Sequence, residues 1–177
     1  MSHKEQLQFV STVKEKYPMK FSQANILEVG SLDINGSVRQ FFTSCTYIGI
    51  DVGVGPGVDI VAEGQSYNGK ANSIDTVISC ECFEHNPYWV GTFNNMIRMA
   101  KKGGLVVMTC ATAGRKEHGT TRTSAADSPL TIGKGWDYYK NLTEDDFRHE
   151  IDFTKFNTFE FSTNTKSKDL YFHGIKK

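Results

Sequence analysis

Short runs of apolar residues recur along the first two thirds of the chain, with polar or helical segments between them. The runs occupy residues 25–29, 46–50, 58–61, 74–80 and 105–110. Each has the length of one strand, and runs with so little polar alternation are typical of strands that are buried on both faces of a parallel sheet. The pattern therefore predicts a parallel sheet.

Helical periodicity and turn residues fill the intervals. Residues 4–17 place apolar side chains on one face before a proline, and residues 88–102 do the same before Lys-Lys-Gly-Gly. Thr143, which three acidic residues follow, predicts the N-cap of a further helix. The β-rich segments 158–162 and 169–175 flank a polar stretch, and they predict an antiparallel hairpin.

Alternating strands and helices predict an α/β protein with a three-layer α/β/α architecture. The length suits a single domain over residues 1–177, with an N-terminal helix within residues 1–20. Residues 111–135 break the pattern because they have little periodicity and many Gly, Thr and Ser. Long connections in compact domains are usually functional or disordered, and we expect this one to be a substrate loop.

The charges of the chain balance. Lys plus Arg and Asp plus Glu both number 20, which gives no overall reason to expect a nucleic acid or another polyanion as partner. No apolar stretch approaches the roughly 20 residues needed to span a bilayer, and the amino terminus lacks the apolar core of a signal peptide. We therefore expect a cytoplasmic protein without a membrane partner, either a monomer or a homodimer.

The four cysteines, Cys45, Cys80, Cys82 and Cys110, mostly lie in or beside apolar runs, where reduced cysteine behaves as a small hydrophobic residue. Cys80, Cys82 and His85 form a C-x-C-x-x-H triplet that matches no usual zinc spacing. We expect reduced thiols and no metal site.

Loops that follow the strands are the places to search for a ligand site, because ligands of such sheets bind at the carboxyl ends of the strands. Glu28 and Gly30 end the first strand, and Gly36 is placed to start the next helix. Asp51 ends the second strand 21 residues after Gly30, near the spacing at which a carboxylate accepts hydrogen bonds from ribose hydroxyls. A turn residue is the alternative interpretation of Asp51, and the agreement of spacing and strand order favours the ribose role.

Polar residues also follow the third and fourth strands. Glu63 is placed either to reach an adenine edge or to lie in a solvated loop. The segment 79–87 contains Glu81, Glu84 and His85 at the end of a strand, and so many ionisable groups there favour a functional role over a simple helix-entry turn.

The motifs ILEVGSLDINGS, YIGID, IDTVISCECFEH and MAKKGGLVVMTC, in this order, resemble the class I S-adenosylmethionine-dependent methyltransferases, particularly the small methyltransferase-type-11 group. The resemblance covers about residues 22–112. It implies a Rossmann-like fold with a mostly parallel seven-stranded sheet, S-adenosylmethionine as cofactor and a small-molecule methyl acceptor. The C-terminal hairpin fits the reversed last strand of this family.

The resemblance assigns cofactor-binding roles to particular positions. The expected cofactor-binding residues are Glu28, Gly30, Asn35, Asp51, Val52, Glu63, Gly64 and Cys80. Glu28 contributes negative charge near the ammonium group, Gly30 leaves room for the ligand, and Asp51 with Val52 contacts ribose and adenine. Cys80 lies with Glu81 beside the sulfonium end, whereas Glu63 and Gly64 border the adenine. For Asn35, contact with the methionine moiety and a role in shaping the turn both stay open.

Methyl transfer needs alignment above all, since the sulfonium methyl group is already activated. If the acceptor is a hydroxyl or a protonated amine, His85 and His118 are candidate general bases, and Glu81 and Glu84 are alternatives. A helix-capping role for His85 and a solvated position for His118 are the competing interpretations.

The long loop offers groups for the acceptor. Arg115 and Arg122 are suited to hold a carboxylate or a phosphate, and Trp136, Tyr138 and Tyr139 to wall a pocket or to join the core.

Two other functions compete with methyl transfer. An NAD(P)-dependent oxidoreductase would need a Gly-rich pyrophosphate turn, and the middle glycine of that turn is missing between Gly30 and Gly36. A noncatalytic S-adenosylmethionine-binding protein would retain the fold without turnover.

Overall fold

The sheet has seven strands in the order β3-β2-β1-β4-β5-β7-β6. In the computed structural model, which describes residues 3–177, the strands are β1 (Asn25–Val29), β2 (Thr46–Asp51), β3 (Ile60–Val61), β4 (Ile74–Cys80), β5 (Ala100–Ala111), β6 (Phe156–Asn164) and β7 (Asp169–Lys176). Neighbouring strands from β3 to β5 pair in parallel, and β7 runs antiparallel to both β5 and β6. The predicted mostly parallel sheet with its C-terminal antiparallel hairpin is confirmed.

Helices cover both faces of this sheet. They are α1 (Lys4–Lys16), α2 (Trp89–Met99), α3 (Pro129–Gly133) and α4 (Glu144–Glu150). Successive strand residues point to opposite faces, and so Leu27 and Val77 pack in the cluster that contains α2 and α4, whereas Ile26 and Ile78 pack in the cluster that contains α1. The predicted three-layer arrangement is confirmed.

Aromatic side chains form much of the larger layer. Phe93 of α2 and Phe147 of α4 are fully buried, with ring centroids 5.3 Å apart. Burial of such a side chain stabilises the fold by about 2 kcal/mol. Thr143 caps α4 as predicted: its hydroxyl accepts a hydrogen bond from the Asp146 N–H, and the Asp146 carboxylate accepts one from the Thr143 N–H at 2.8 Å.

The segment between β1 and β2 differs from the prediction. Gly36 does not open an α-helix, because only a short 3-10 turn, Val38–Phe41, follows it. The chain must then be extended to form the parallel bridge between Ser22 and Thr43, which leaves no length for a longer helix. This segment therefore adds no second α-helix to the layer that contains α1.

Two further elements are shorter than predicted. The helix predicted over residues 88–102 ends at Met99, because Ala100 already pairs with Ile74 of β4. The third strand is only two residues long, since Asp59 turns its carboxylate back to accept a hydrogen bond from the Gly49 N–H at 2.7 Å.

Among residues 3–177, no helix is both long and apolar enough to cross a membrane.

Candidate active site

A cleft opens at the carboxyl ends of β1, β2 and β4. Its floor consists of strand ends and the loops that follow them. One wall includes Gln6 of α1, and residues 127–131 of the long loop cover it from the other side. Of the predicted site residues, those that line this cleft are Glu28, Gly30, Asp51, Cys80, Glu81 and His85.

Gly30 makes the tight exit from β1. Its φ is +78°, in the left-handed region, and an added Cβ would lie 2.6 Å from the Cβ of Cys82. Its N–H donates to the Ile50 carbonyl at 2.9 Å. Any side chain here would strain the backbone and push into Cys82, so only glycine fits the loop as it stands.

Two polar groups of β1 and its loop line the cleft from below. Glu28 is 5% exposed, and its carboxyl group accepts a hydrogen bond from the Tyr47 hydroxyl at 2.7 Å. Burial raises the pKa of Glu28 to about 8, although the Tyr47 bond opposes that change. Ser31 is 2% exposed, and its hydroxyl has no hydrogen-bond partner among residues 3–177. A ligand in the cleft can therefore supply the partner that Ser31 lacks.

Asp51 ties the two loops together. One carboxylate oxygen accepts the Val52 N–H at 2.7 Å, and the other accepts the Leu32 N–H at 3.0 Å. Burial raises the pKa of Asp51, whereas the two backbone bonds lower it. Each oxygen keeps a second lone pair that can accept from a ligand hydroxyl.

Cys80 and Glu81 end β4 at the middle of the cleft. Glu81 has a φ of +52°, and its carboxylate accepts a hydrogen bond from the Thr109 hydroxyl at 2.9 Å. Burial raises the pKa of the Glu81 carboxyl and of the Cys80 thiol. Cys80 is therefore a neutral thiol that offers shape rather than charge.

His85 links the cleft to the long loop. Its ring lies 4.9 Å from the ring of His118, edge to face, and the ring of Tyr139 contacts both imidazoles. Burial lowers the pKa of His85 to about 3 and also lowers that of His118. Glu84 is fully buried beside them, and burial raises its pKa. At neutral pH both imidazoles are therefore uncharged.

Several predicted site residues lie outside the cleft lining. Asn35 is exposed and does not line the cleft, although its neighbours Ile34 and Gly36 do. The Val52 N–H is used by Asp51, and His118 reaches the site only through its contact with His85.

Glu63 and Gly64 lie apart for different reasons. The Glu63 carboxylate pairs with Lys134 of the long loop at 2.7 Å. Gly64 is buried, with an added Cβ 2.7 Å from Thr92, and its carbonyl accepts a hydrogen bond from Asn95. Neither residue lines the cleft.

Both candidate anion-binding arginines have partners within the protein. Arg115 pairs with the buried Asp169 at 2.7 Å, and Arg122 pairs with Glu117 at 2.8 Å and with Asp137 at 3.3 Å. These pairs secure the loop and do not point the guanidinium groups at the cleft.

Of the aromatic residues after the loop, Tyr139 packs on the two histidines, and Trp136 packs on Tyr88 with ring centroids 5.4 Å apart. Tyr138 does not line the cleft.

Residues of the cleft that the sequence reasoning missed come mostly from other segments. They are Gln6 of α1, Ser31 and Leu32 of the first loop, and Asp127, Ser128 and Leu130 of the cover. Leu130 lies over Gly53, where an added Cβ would approach it to 2.9 Å. The first-loop pair directly follows a predicted strand, and the cover residues belong to the loop of residues 111–135, so only Gln6 carried no sequence signal.

Comparisons with known proteins agree with this geometry. Residues 27–108 match the family model described as "Methyltransferase domain". A search of the curated proteins found no match.

Solved structures share the fold at low identity. Haemonchus contortus phosphoethanolamine N-methyltransferase 2, in complex with S-adenosyl-L-methionine, has 18% identity and a TM-score of 0.67, over 96% of this chain and 52% of that one. Burkholderia thailandensis 1,6-didemethyltoxoflavin-N1-methyltransferase, with its substrate and S-adenosylhomocysteine bound, has 12% identity and a TM-score of 0.65, over 97% and 78%. The YcgJ protein from Bacillus subtilis has 9% identity and a TM-score of 0.66, over 99% of both chains.

The chain thus spans about half the length of the Haemonchus enzyme, at 52%. The resemblance predicted from the motifs is confirmed: residues 27–108 match the model of a methyltransferase domain, and the chain shares the fold of solved methyltransferases that hold S-adenosylmethionine or S-adenosylhomocysteine.

Proposed function

We propose that the protein is an S-adenosylmethionine-dependent methyltransferase that transfers a methyl group to an oxygen or nitrogen atom of a small-molecule acceptor. The observation that carries this proposal is the convergence of Glu28, Gly30, Asp51 and Cys80 on one cleft at the carboxyl ends of the strands. Solved structures with the same fold hold S-adenosylmethionine or S-adenosylhomocysteine.

The residues of the first loop fit the amino-acid end of this cofactor. The buried Glu28 carboxyl group suits an ammonium partner, which would favour its ionised form. The unpartnered Ser31 hydroxyl can donate to the ligand carboxylate or accept from its ammonium group. Gly30 has no side chain where Cys82 packs against the loop, and this close contact holds the loop that lines the cleft.

The residues at the end of β2 fit the nucleoside. Asp51 is held by two backbone N–H groups, and its free lone pairs face the cleft that it lines. A carboxylate fixed in this way is preorganised to accept from two neighbouring ribose hydroxyls.

The same loop argues against a dinucleotide. A pyrophosphate binds where a Gly-rich turn opens an α-helix, whose N-terminus favours negative charge. Here the turn leads into the four-residue 3-10 turn Val38–Phe41, and the buried Glu28 carboxyl lies in the cleft. Both features disfavour a pyrophosphate.

The bound cofactor would supply an activated methyl group, and the protein would align the acceptor and accept its proton. Glu81 and His85 line the cleft close to Cys80, and Glu81 is the better proton acceptor of the two, because burial raises the pKa of Glu81 and lowers that of His85. Residues 127–131 cover this part of the cleft and limit the space for an acceptor to that of a small molecule. We place this reaction in the cytoplasm, with a monomer or a homodimer as the active species.

Calorimetric titration with S-adenosylmethionine, S-adenosylhomocysteine and NADH tests the cofactor. We expect both sulfur compounds to bind and NADH to give no heat. Binding of NADH alone would refute the proposal.

Transfer of label from methyl-labelled S-adenosylmethionine to pooled small metabolites tests the activity. We expect His85→Ala to reduce turnover about 100-fold while the affinity for S-adenosylhomocysteine changes less than threefold. His149→Ala is the matched control, because His149 is an exposed histidine of α4 outside the cleft. Tight cofactor binding without label transfer to any fraction would favour the noncatalytic alternative.

A further inference from the structure

We propose that Glu84, His85 and His118 form a site for a divalent transition-metal ion such as Zn²⁺, at the edge of the cofactor cleft. Glu84 and His85 belong to the 3-10 turn Phe83–His85 after β4, and His118 comes from the loop of residues 111–135. One ligand atom from each residue lies within 4.8 Å of the other two. Two imidazoles and one carboxylate are a donor set that suits Zn²⁺ and its neighbours in the first transition series.

The strongest evidence for a metal ion is that buried polar atoms of this cluster lack hydrogen-bond partners. Glu84 is 0% exposed and His85 is 2% exposed. Both carboxylate oxygens of Glu84 and both ring nitrogens of His85 lack a hydrogen-bond partner of good geometry among residues 3–177. Buried polar groups are almost always partnered, because leaving them bare after desolvation is costly. A metal ion would satisfy the carboxylate and one ring nitrogen at once.

His118 is oriented as a ligand. Its Nδ1 lies 3.1 Å from the Lys116 carbonyl oxygen, which can only accept a hydrogen bond. Nδ1 therefore carries the proton, and Nε2 keeps its lone pair. A backbone carbonyl that fixes the tautomer in this way is the usual second contact of a metal-bound histidine.

The spacing of the three groups is close to that of a metal site. Ligand atoms of a tetrahedral zinc ion are about 3.4 Å apart, so the widest pair would close by about 1.4 Å at most. The loop main chain lies against the cluster, since a Cβ on Gly119, whose φ is +65°, would lie 2.5 Å from Cε1 of His85. The loop is thus positioned to bring His118 onto the other two residues.

A second cluster of the same composition shows the contrast. His3, Glu81 and Asp169 also bring their ligand atoms within 4.8 Å of one another. There, however, His3 pairs with Asp169 at 3.2 Å, and Arg115 pairs with the same carboxylate at 2.7 Å. Two basic side chains of the same chain already compensate the charge of the Asp169 carboxylate, so that cluster calls for no metal.

The location suggests what the ion does. His85 lines the cleft as well as the cluster, so a three-ligand ion would have an open position towards the cleft. On the basis of the proposed function, we assign that position to a ligating oxygen of a hydroxyl-bearing acceptor. The hydroxyl proton would pass to the Glu81 carboxylate, since His85 would be bound to the ion. The oxygen would bond to the methyl carbon, and the electrons of the broken C–S bond would return to sulfur.

Metal binding is tested on the full chain without cofactor. After dialysis against a chelator, the protein is titrated with Co²⁺ and followed by visible absorption, and Zn²⁺ is then added in competition. We expect about one Co²⁺ per chain with the intense bands of a four- or five-coordinate ion, and displacement by Zn²⁺. His118→Ala and Glu84→Gln should each weaken Co²⁺ binding about 100-fold or more, whereas the control His149→Ala should bind as the wild type does.

Folding and the cofactor are checked separately. The His118→Ala chain should keep its circular dichroism spectrum, since His118 lies on a loop and is only partly buried. A wild-type chain that binds no Co²⁺, or a folded His118→Ala chain that binds it unchanged, would overturn the metal site. S-adenosylhomocysteine binding to the wild type is measured in parallel, so failure of the metal site and failure of the proposed function give different results.

Discussion

Replacement of Asp51 by asparagine tests the cofactor assignment most directly. The carboxylate already accepts the Val52 N–H at 2.7 Å and the Leu32 N–H at 3.0 Å, and both oxygens have a lone pair left for the ligand. An asparagine keeps one acceptor oxygen and turns a donor towards the other backbone N–H. The substitution therefore removes one acceptor and the negative charge.

The expected loss follows from these contacts. A hydrogen bond to a charged group contributes about 1.5–3 kcal/mol, and one such bond to ribose disappears while another becomes neutral. We expect Asp51→Asn to weaken S-adenosylhomocysteine binding by about 2 kcal/mol, which is about a 30-fold rise in Kd. One backbone N–H also loses its acceptor, so the free energy of unfolding should fall by about 1 kcal/mol.

Asp59→Asn is the matched control for this experiment. The Asp59 carboxylate also accepts a backbone N–H, that of Gly49, at 2.7 Å, and it pairs with Arg39, but it does not line the cleft. Titration calorimetry and urea denaturation of both variants separate affinity from stability. If Asp51→Asn binds as tightly as the wild type, or if both variants lose affinity equally, Asp51 does not hold the ribose.

Three other substitutions test interactions that stabilise the fold around the site. Gly30→Ala should lower the free energy of unfolding by about 2 kcal/mol in urea denaturation, because φ is +78° and the new Cβ would meet Cys82. Thr143→Ala should cost about 1 kcal/mol in the same assay through loss of the α4 cap. Burial lowers the pKa of His3, but the interactions with Asp169 and Glu81 outweigh it and raise this pKa from 6.5 to about 10. Protonated His3 therefore stabilises the fold fully below pH 6.5, and this contribution is lost as pH rises through 10. His3→Asn should thus be less stable than the wild type by about 2 kcal/mol at pH 6, with a difference that vanishes above pH 10, and a constant difference would contradict the ion pair.

Most of the fold was predictable because its strands are buried on both faces. Residues 105–110 of β5 are apolar at nearly every position, and the sequence pattern shows this directly. The segment between β1 and β2 was not predictable in this way. Whether Val38–Phe41 extends into an α-helix depends on the bridge between Ser22 and Thr43, a contact between two elements that no local pattern contains.

The site residues also fall into those that a local sequence pattern predicts and those that depend on contacts between distant elements. Asp51 and Gly30 were predicted because strand order and spacing place strand ends at one edge of a sheet. Gln6 of α1 could not be predicted, since helical periodicity shows which face is buried but not which end of the sheet it meets. The same limit explains Arg115, whose charge suggested a ligand role although Asp169 of β7 pairs with it.

The covering loop is held unequally at its two ends, and this determines where a ligand can enter. At its base, Arg115 pairs with the fully buried Asp169 at 2.7 Å. At its C-terminal end, Lys134 pairs with Glu63 at the same distance, but the two side chains are 41% and 31% exposed. An exposed ion pair stabilises by less than about 1 kcal/mol, whereas breaking a buried pair costs several times more. Residues 127–131, which cover the cleft, directly precede this weakly held end, so we expect the cleft to open there while the end at Arg115 stays in place.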